Sequence, residues 1–407
     1  MTGHLPYPPV SGGRRREYEL ISRLCDRFGF HLVVVSKTPD EDVANAPAIQ
    51  DRCASITVFP AVARPDVGAT AAMPALASRH WAPEVKGFVE RRIAKGAVDL
   101  VHVEGFYLMH HVPEGSSMPL LLVEQNVEYT LWHQRMRRAR GRAERRRNLT
   151  EYAITLQAEI DAWKRSTLCA AVTEDDRAIM LAAVPNLDIR VIPDGADHVT
   201  AVDTADGQPE QPFFFDGRPV VTFVANFGYR PNVDAAHYLV RRILPRVALK
   251  VPSVRVLLVG NAPPPEVRDL EDDRVTVTGR VASVEPYLEA SDVVVSPLRE
   301  GGGIKVKVLE ALRHGKALVT TSVGAQGIEQ SGRTAMIIRD DARSFAAAVT
   351  SLLLNQTQRR ALERAAAEFA ARLPTWDQSA AELGRCYDEL RGRAGKVLLD
   401  LDSSPAP

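Results

Sequence analysis

The segment DVVVSPLREGGGIKVKVLEALRHGK, Asp292 to Lys316, decides the fold. A short β-branched run ends at Pro297, three consecutive glycines follow at 301 to 303, and an apolar-periodic stretch then carries two lysines and a glutamate. A continuous apolar strand that passes through a polar turn into a helix is the repeating unit of a parallel sheet covered on both faces. In such a sheet the carboxyl end of the strand meets the amino end of the helix, whose partial positive charge attracts anions. The helix is expected from about Ile304. Its spacing places Lys307, Glu310 and His314 on one face and Val308, Leu309 and Leu312 on the other. One face is free to bind while the other packs.

The same alternation runs from Pro219 through PVVTFVA, VRVLLVG, RVTVTG, DVVVSP and ALVTT. The first half repeats it less cleanly in FHLVVVS, SITVFP, VDLVHVEG, PLLLVEQN, TLCAAVT and IRVIPDG. The fold class is therefore α/β, with two Rossmann-like doubly wound domains in series. The stretch Val199 to Pro219, rich in Asp, Gly, Gln and Pro, reads as their linker. The expected division is residues 1–205, residues 206–375, a C-terminal helix over 376–392 packing back on the first domain, and a disordered tail over 393–407.

Composition excludes several function classes. The 407 residues are 45% hydrophobic and 25% charged, which is globular rather than disordered. Lys plus Arg and Asp plus Glu stand at 51 each, so no global excess points to nucleic acid. The one strong charge run, RMRRARGRAERRR from Arg135 to Arg147, reads as a solvated helix face or as a contact for an anionic acceptor or lipid headgroup. Peripheral membrane contact thus stays open. Four scattered cysteines without ligand spacing fit free thiols, and no apolar run reaches membrane-spanning length. A cytoplasmic protein of unknown oligomeric state is the expectation. His110 and His111 have no ligand-spaced carboxylate or cysteine beside them, so no metal site is expected.

The chemistry concentrates on the opening segment. Gly301, Gly302 and Gly303 leave backbone N–H groups uncovered, Lys305 and Lys307 add charge, and together they form a cradle for phosphate. A phosphate alone does not account for Glu310, because a carboxylate beside a dianion is repelled unless hydroxyls donate to it. A ribose diol supplies such donors, so the combined target is a nucleoside diphosphate. The competing reading pairs Glu310 with Lys307 across one helical turn.

With these residues in place the chain resembles the family 4 retaining glycosyltransferases of GT-B fold, in the bacterial branch whose donor signature is a Gly-rich turn followed by Lys-x-x-Glu-Ala. Its other landmarks are PYPPVSGGRRREYEL, VEQNVEY, VTEDD, VIPDGAD, FVANFGYRPNVDA, VLLVG and VTGRV, in that order. The resemblance implies two domains facing across a cleft, a nucleotide-sugar donor held mainly by the second, and an acceptor mainly by the first. It implies that Glu310 accepts from the ribose hydroxyls and that Lys307, Lys305 and Arg230 neutralise the leaving diphosphate. Gly301 to Ile304 would line the donor, with Arg280 and Val281 beside the base. Gly12 and Gly13 would form the first-domain turn that approaches the phosphate or sugar. Glu104, Gln125 and Glu128 are the candidates on the acceptor side.

Three departures from the family pattern carry expectations of their own. Gly302 stands eight residues before Glu310 where a paired glutamate is common, leaving Glu300 as its replacement. Gln125 stands where relatives often carry histidine. Met1 to His4 leave no room for a first strand, which places the natural start upstream or shortens the first sheet. The expected activity is transfer from a nucleotide sugar, as co-substrate and with no cofactor or metal, to an unidentified acceptor. A sugar-nucleotide epimerase and a catalytically silent nucleotide-sugar-binding partner are the alternatives.

Overall fold

The structure, a computed structural model, describes residues 1–64, 73–139, 141–197, 217–328 and 330–402. The chain divides into two compact units, Met1–Gly195 with Trp376–Pro407, and Ala196–Thr375. The expected linker and the boundary at 205 fall largely in 198–216, outside the described residues.

In the first unit the apolar runs become β1 (His31–Ser36), β2 (Ser55–Pro60), β3 (Val101–Glu104), β4 (Leu120–Glu124), β5 (Leu168–Ala171) and β6 (Ile189–Val191). Every pairing among them is parallel, in the orders β1-β2 and β3-β4-β5-β6. β4 is buried at all five positions, as a strand covered on both faces must be. Three helices of this unit carry candidate residues or the arginine run: α1 (Gly12–Leu24), α2 (Glu128–Arg138) and α3 (Arg142–Arg165).

The absent first strand requires correction. Met1 and Thr2 lie between β1 and β3 and join the two sheets. The Thr2 N–H donates to the Val33 carbonyl (3.0 Å), and the Val35 N–H donates to the Thr2 carbonyl (2.9 Å). On the other side the Met1 amine donates to the His102 carbonyl (2.6 Å), and the Glu104 N–H donates to the Met1 carbonyl (2.9 Å). Two residues suffice because each parallel neighbour needs only alternate backbone groups from them.

The second unit is a single six-stranded parallel sheet of β7 (Val220–Val224), β8 (Arg255–Val259), β9 (Val275–Gly279), β10 (Val293–Ser296), β11 (Leu318–Thr320) and β12 (Ile337–Ile338), in the order β12-β11-β10-β7-β8-β9. The chain steps outward from β7 through β8 to β9, then crosses back to lay β10 on the other side of β7. Two helices of this unit carry candidate residues, α4 (Arg230–Tyr238) and α5 (Val306–Arg313).

α5 starts two residues later than Ile304. Lys305 holds an extended backbone (φ −104°, ψ 100°) as the N-cap, and His314 caps the other end rather than continuing the binding face. Val308, Leu309, Ala311 and Leu312 are its buried face.

The final helix, α6 (Trp376–Asp402), belongs to the first unit and packs along α1. It runs to Asp402, past the expected end at 392 and into the stretch expected as tail. No proline interrupts the sequence before Pro405, and Lys396 to Leu401 are mostly good helix formers.

Candidate active site

Open parallel sheets bind ligands at the carboxyl ends of the strands where the order reverses. In the second unit that point lies between β7 and β10. The loop after β7 leads into α4 and the loop after β10 leads into α5, so two helix amino ends converge beside the same crevice.

The glycine turn after β10 is shaped by its backbone. Gly301 (φ +142°) and Gly303 (φ +60°) occupy conformations that favour glycine, and Gly302 is not among the residues with positive φ. Lys305 clamps the turn. Its Nζ donates to the Gly302 carbonyl (2.7 Å), the Gly303 carbonyl (2.5 Å) and Gln326 Oε1 (3.4 Å), and the residue is buried. Its charge therefore acts first on the turn itself.

Lys307 is placed differently. Its Nζ donates to Asn232 Oδ1 and stands 5.2 Å from the centre of the Phe223 ring, over the end of β7. Burial, reinforced by the Lys305 charge and opposed by Glu310, lowers the ammonium to about 7. Asn232 is itself fixed, because its Nδ2 donates to the Asn226 carbonyl (2.6 Å) in the loop after β7. Arg230 opens α4 and is exposed, two residues before Asn232. Lys307 thus reaches from α5 to Asn232 on α4, with Glu310 one helical turn further along α5 and Arg230 at the start of α4.

Arg280 and Val281 follow β9, two strands from β7. Val281 packs against the cluster of Val220, Leu257 and Val259, while Arg280 is exposed. Strand spacing puts them roughly 10 Å from β7. Glu300 lies partly buried in the loop after β10. Asn232 and Phe223 were missed by sequence reading. The only local signal was an asparagine just inside a helix begun by Arg-Pro.

In the first unit Gly12 and Gly13 open α1 behind the N-cap Ser11. A side chain at 13 would place its Cβ 2.8 Å from Gln125 Oε1, so Gln125 would have to shift to admit one. Gln125 Nε2 donates to Glu104 Oε2 (3.0 Å) and, at 3.5 Å, to Glu17 Oε1. Both partners are carboxylates, which fixes the amide with its oxygen toward the glycine turn. Glu104 is buried, which alone would raise it, yet His102, Arg16 and Gln125 together hold it at about 2. Glu128 opens α2, and burial raises it to about 7 against the pull of Arg135 and Asn126. The neighbouring buried acids have structural tasks. Glu159 accepts from the N–H groups of Glu128 and Tyr129, and Glu124 accepts from Trp163 Nε1 (3.0 Å) and the Phe106 N–H.

A cavity of about 400 Å³ in the first unit is lined by Met1, Leu20, Phe28, Phe30, His102 and Tyr387, among others. It runs beside Met1 along β1 and β3 and reaches Glu104, the last residue of β3, whereas Gly12, Gly13, Gln125 and Glu128 are not part of its lining. His110 stacks on Trp81 at 5.3 Å and is lowered by burial to about 3, a packing role. Among the described residues no group of three or more His, Cys, Asp or Glu could hold a metal, and no helix is long and apolar enough to cross a membrane.

The chain is similar in sequence and fold to known proteins. Residues 218–355 fit the family model described as glycosyl transferases group 1. The phosphatidyl-myo-inositol mannosyltransferase of Mycolicibacterium smegmatis is 26% identical over 215 residues, covering 51% of this chain and 53% of its own length. The match thus spans about half of that curated relative. Sucrose-phosphate synthase from Thermosynechococcus elongatus has the same fold, with a TM-score of 0.66 at 18% identity over 96% of each chain. Anabaena HepE in complex with UDP and glucose gives 0.63 at 15% identity, over 95% of this chain and 98% of its own. Residues 218–355 thus match the group 1 glycosyltransferase model, within a chain that shares the GT-B fold.

Proposed function

We propose that the protein is a glycosyltransferase that moves a hexosyl group from a nucleoside-diphosphate donor to an acceptor, with retention and without a metal ion. The observation that carries this reading is the turn after β10. Two glycines with positive φ and the Lys305 clamp hold backbone N–H groups and the amino end of α5 beside Lys307, at the point where the strand order reverses. The mannosyltransferase relative and the UDP and glucose bound by HepE favour a nucleotide-sugar donor.

In this mechanism Lys307, Arg230 and the helix amino ends neutralise the charge that develops on the departing diphosphate, while Glu310 accepts from the ribose hydroxyls. Catalysis is then positioning plus electrostatic stabilisation. The acceptor hydroxyl attacks on the face that the diphosphate leaves, and the leaving phosphate takes its proton, so no enzymic nucleophile is required. Glu104, Gln125 and Glu128 are assigned to the acceptor side. A divalent ion has little place in a turn already occupied by cations, since both would compete for the same phosphates.

The test is donor binding and turnover across a panel of nucleotide sugars, with Glu310→Gln as the variant. The amide keeps the shape but loses a charge-assisted acceptor, a cost of about 1.5–3 kcal/mol. Donor affinity should fall at least about tenfold with the melting temperature unchanged. Retained affinity with a lowered melting temperature would instead make Glu310 a partner of Lys307 alone. Turnover in excess EDTA should equal turnover with added Mg²⁺ or Mn²⁺, and rescue by metal would refute the metal-free mechanism.

A further inference from the structure

The strongest charge feature of the molecule lies outside the donor site. Residues 135–147 hold eight arginines against the single Glu144, an excess of seven in a chain whose formal charges otherwise cancel. The remainder of the protein therefore carries a formal charge of minus seven, and this run is a local positive excess that offsets it.

The structure gives that place a shape. Arg135, Arg137 and Arg138 close α2, and Arg142, Arg145, Arg146 and Arg147 begin α3, so the run forms the tip where two packed helices meet. Arg137, Arg138, Arg142, Arg145, Arg146 and Arg147 are exposed. On α3, Arg142, Arg145, Arg146 and Leu149 follow the i, i+3, i+4, i+7 spacing of one face, and Leu149 is 51% exposed. On α2, Trp132 lies under the Arg135 guanidinium at 4.7 Å and is only partly buried. Apolar groups thus sit among the cations on both helices.

Folding alone does not favour this arrangement. Arg142 and Arg145 stand in the first turn of α3, where a helix prefers negative charge, and like charges one turn apart repel. A surface that costs stability and displays guanidinium forks suits phosphate oxygens in quantity, and the interspersed Leu149 and Trp132 suit an interface that is apolar just beneath its phosphates.

We infer that the α2–α3 tip docks the protein on an anionic phospholipid bilayer. The negative remainder is repelled by the same surface, so charge segregation orients the molecule with this tip toward the lipid. The inference does not depend on the donor chemistry.

The test is flotation of the full chain with vesicles of phosphatidylcholine alone or with about 30% phosphatidylglycerol, in ~0.05 M and ~0.5 M salt. Binding should require the anionic lipid and should weaken steeply with salt. Arg142→Gln/Arg145→Gln/Arg146→Gln should weaken partitioning about a hundredfold or more. Arg343→Gln/Arg360→Gln/Arg364→Gln, exposed positions in the second unit, should leave partitioning unchanged. The tip variant should melt at or above the wild-type temperature, because it relieves repulsion. Equal binding to neutral vesicles, an unaffected tip variant, a tip variant that melts markedly lower, or capture by soluble heparin without any vesicle binding would each overturn the proposal.

Discussion

Lys307 shows what a single residue contributes and where sequence reading stops. Its position in the glycine segment was legible, but its partner Asn232 lies 75 residues earlier and no local pattern announces the pair. Lys305 read as a second cation for the ligand, yet its ammonium is directed at the turn carbonyls, a use that depends on backbone geometry no composition reveals. The two lysines therefore divide the work. Burial lowers Lys307 to about 7 in the free protein, so near neutrality it is only partly charged. A bound diphosphate favours the charged form, and binding must then draw in a proton. The native state holds fewer protons here than the unfolded chain, so this group weakens the fold as pH falls from its unfolded value toward 7 and changes little below that. For the ligand the sign is opposite, because the cation that attracts phosphate is lost as pH rises. Both phosphates of a nucleotide sugar are esterified and stay singly ionised throughout this range, so above about pH 7 donor affinity should decline by up to about tenfold per unit until the pKa of the bound lysine is reached. Titration calorimetry in buffers of different ionisation enthalpy, across this range, should show proton uptake. Lys307→Arg, which does not titrate, should remove both the uptake and the slope.

Among the elements, the strand–glycine–helix unit was readable because its parts are local. β-branched runs mark strands, and buried α5 positions follow the helical period. Two strands were not readable. Met1–Thr2 and the two-residue β12 are too short to carry a pattern, and only their neighbours define them. The three glycines also look equivalent in sequence and are not. Gly301 and Gly303 have positive φ, whereas Gly302 does not. Gly301→Ala and Gly303→Ala should therefore each cost about 1–3 kcal/mol. In a unit of this size that is a melting shift of at least ~2 °C. Gly302→Ala should stay within about 1 °C, since no left-handed conformation is at stake. Differential scanning calorimetry of the three variants distinguishes a turn set by two positions from one that needs all three. Equal losses at 301, 302 and 303 would mean that close approach, not backbone conformation, selects the glycines.

For the whole molecule, two Rossmann-like units were legible from alternating strands and helices, but the unit to which the last helix belongs is decided by packing. Trp376, Ala380, Leu383, Cys386, Tyr387 and Leu390 are buried with Leu20, Leu24, Leu121 and Val123 in one apolar cluster of the first unit. Gly195 makes the approach possible, since a Cβ there would lie 2.4 Å from the Trp376 backbone nitrogen. Polar contacts add direction. Tyr387 OH meets His102 Nδ1 at 2.6 Å, and Arg190 pairs with Glu389 at 3.2 Å. Trp376, Leu383, Tyr387 and Leu390, each fully buried, contribute roughly 1.5–3 kcal/mol apiece. Their sum approaches the whole stability of an ordinary domain, about 5–15 kcal/mol. A chain ending at Thr375 should therefore lose the first unit while the second keeps its own sheet and core. Hydrogen exchange of that truncated chain should show lost protection in Leu20–Leu24 and Leu121–Val123, with Val220–Val224 and Val256–Val259 still protected. Uniform loss across both units would mean that they fold only together, and undiminished protection in the first unit would mean that α6 covers a core already complete without it.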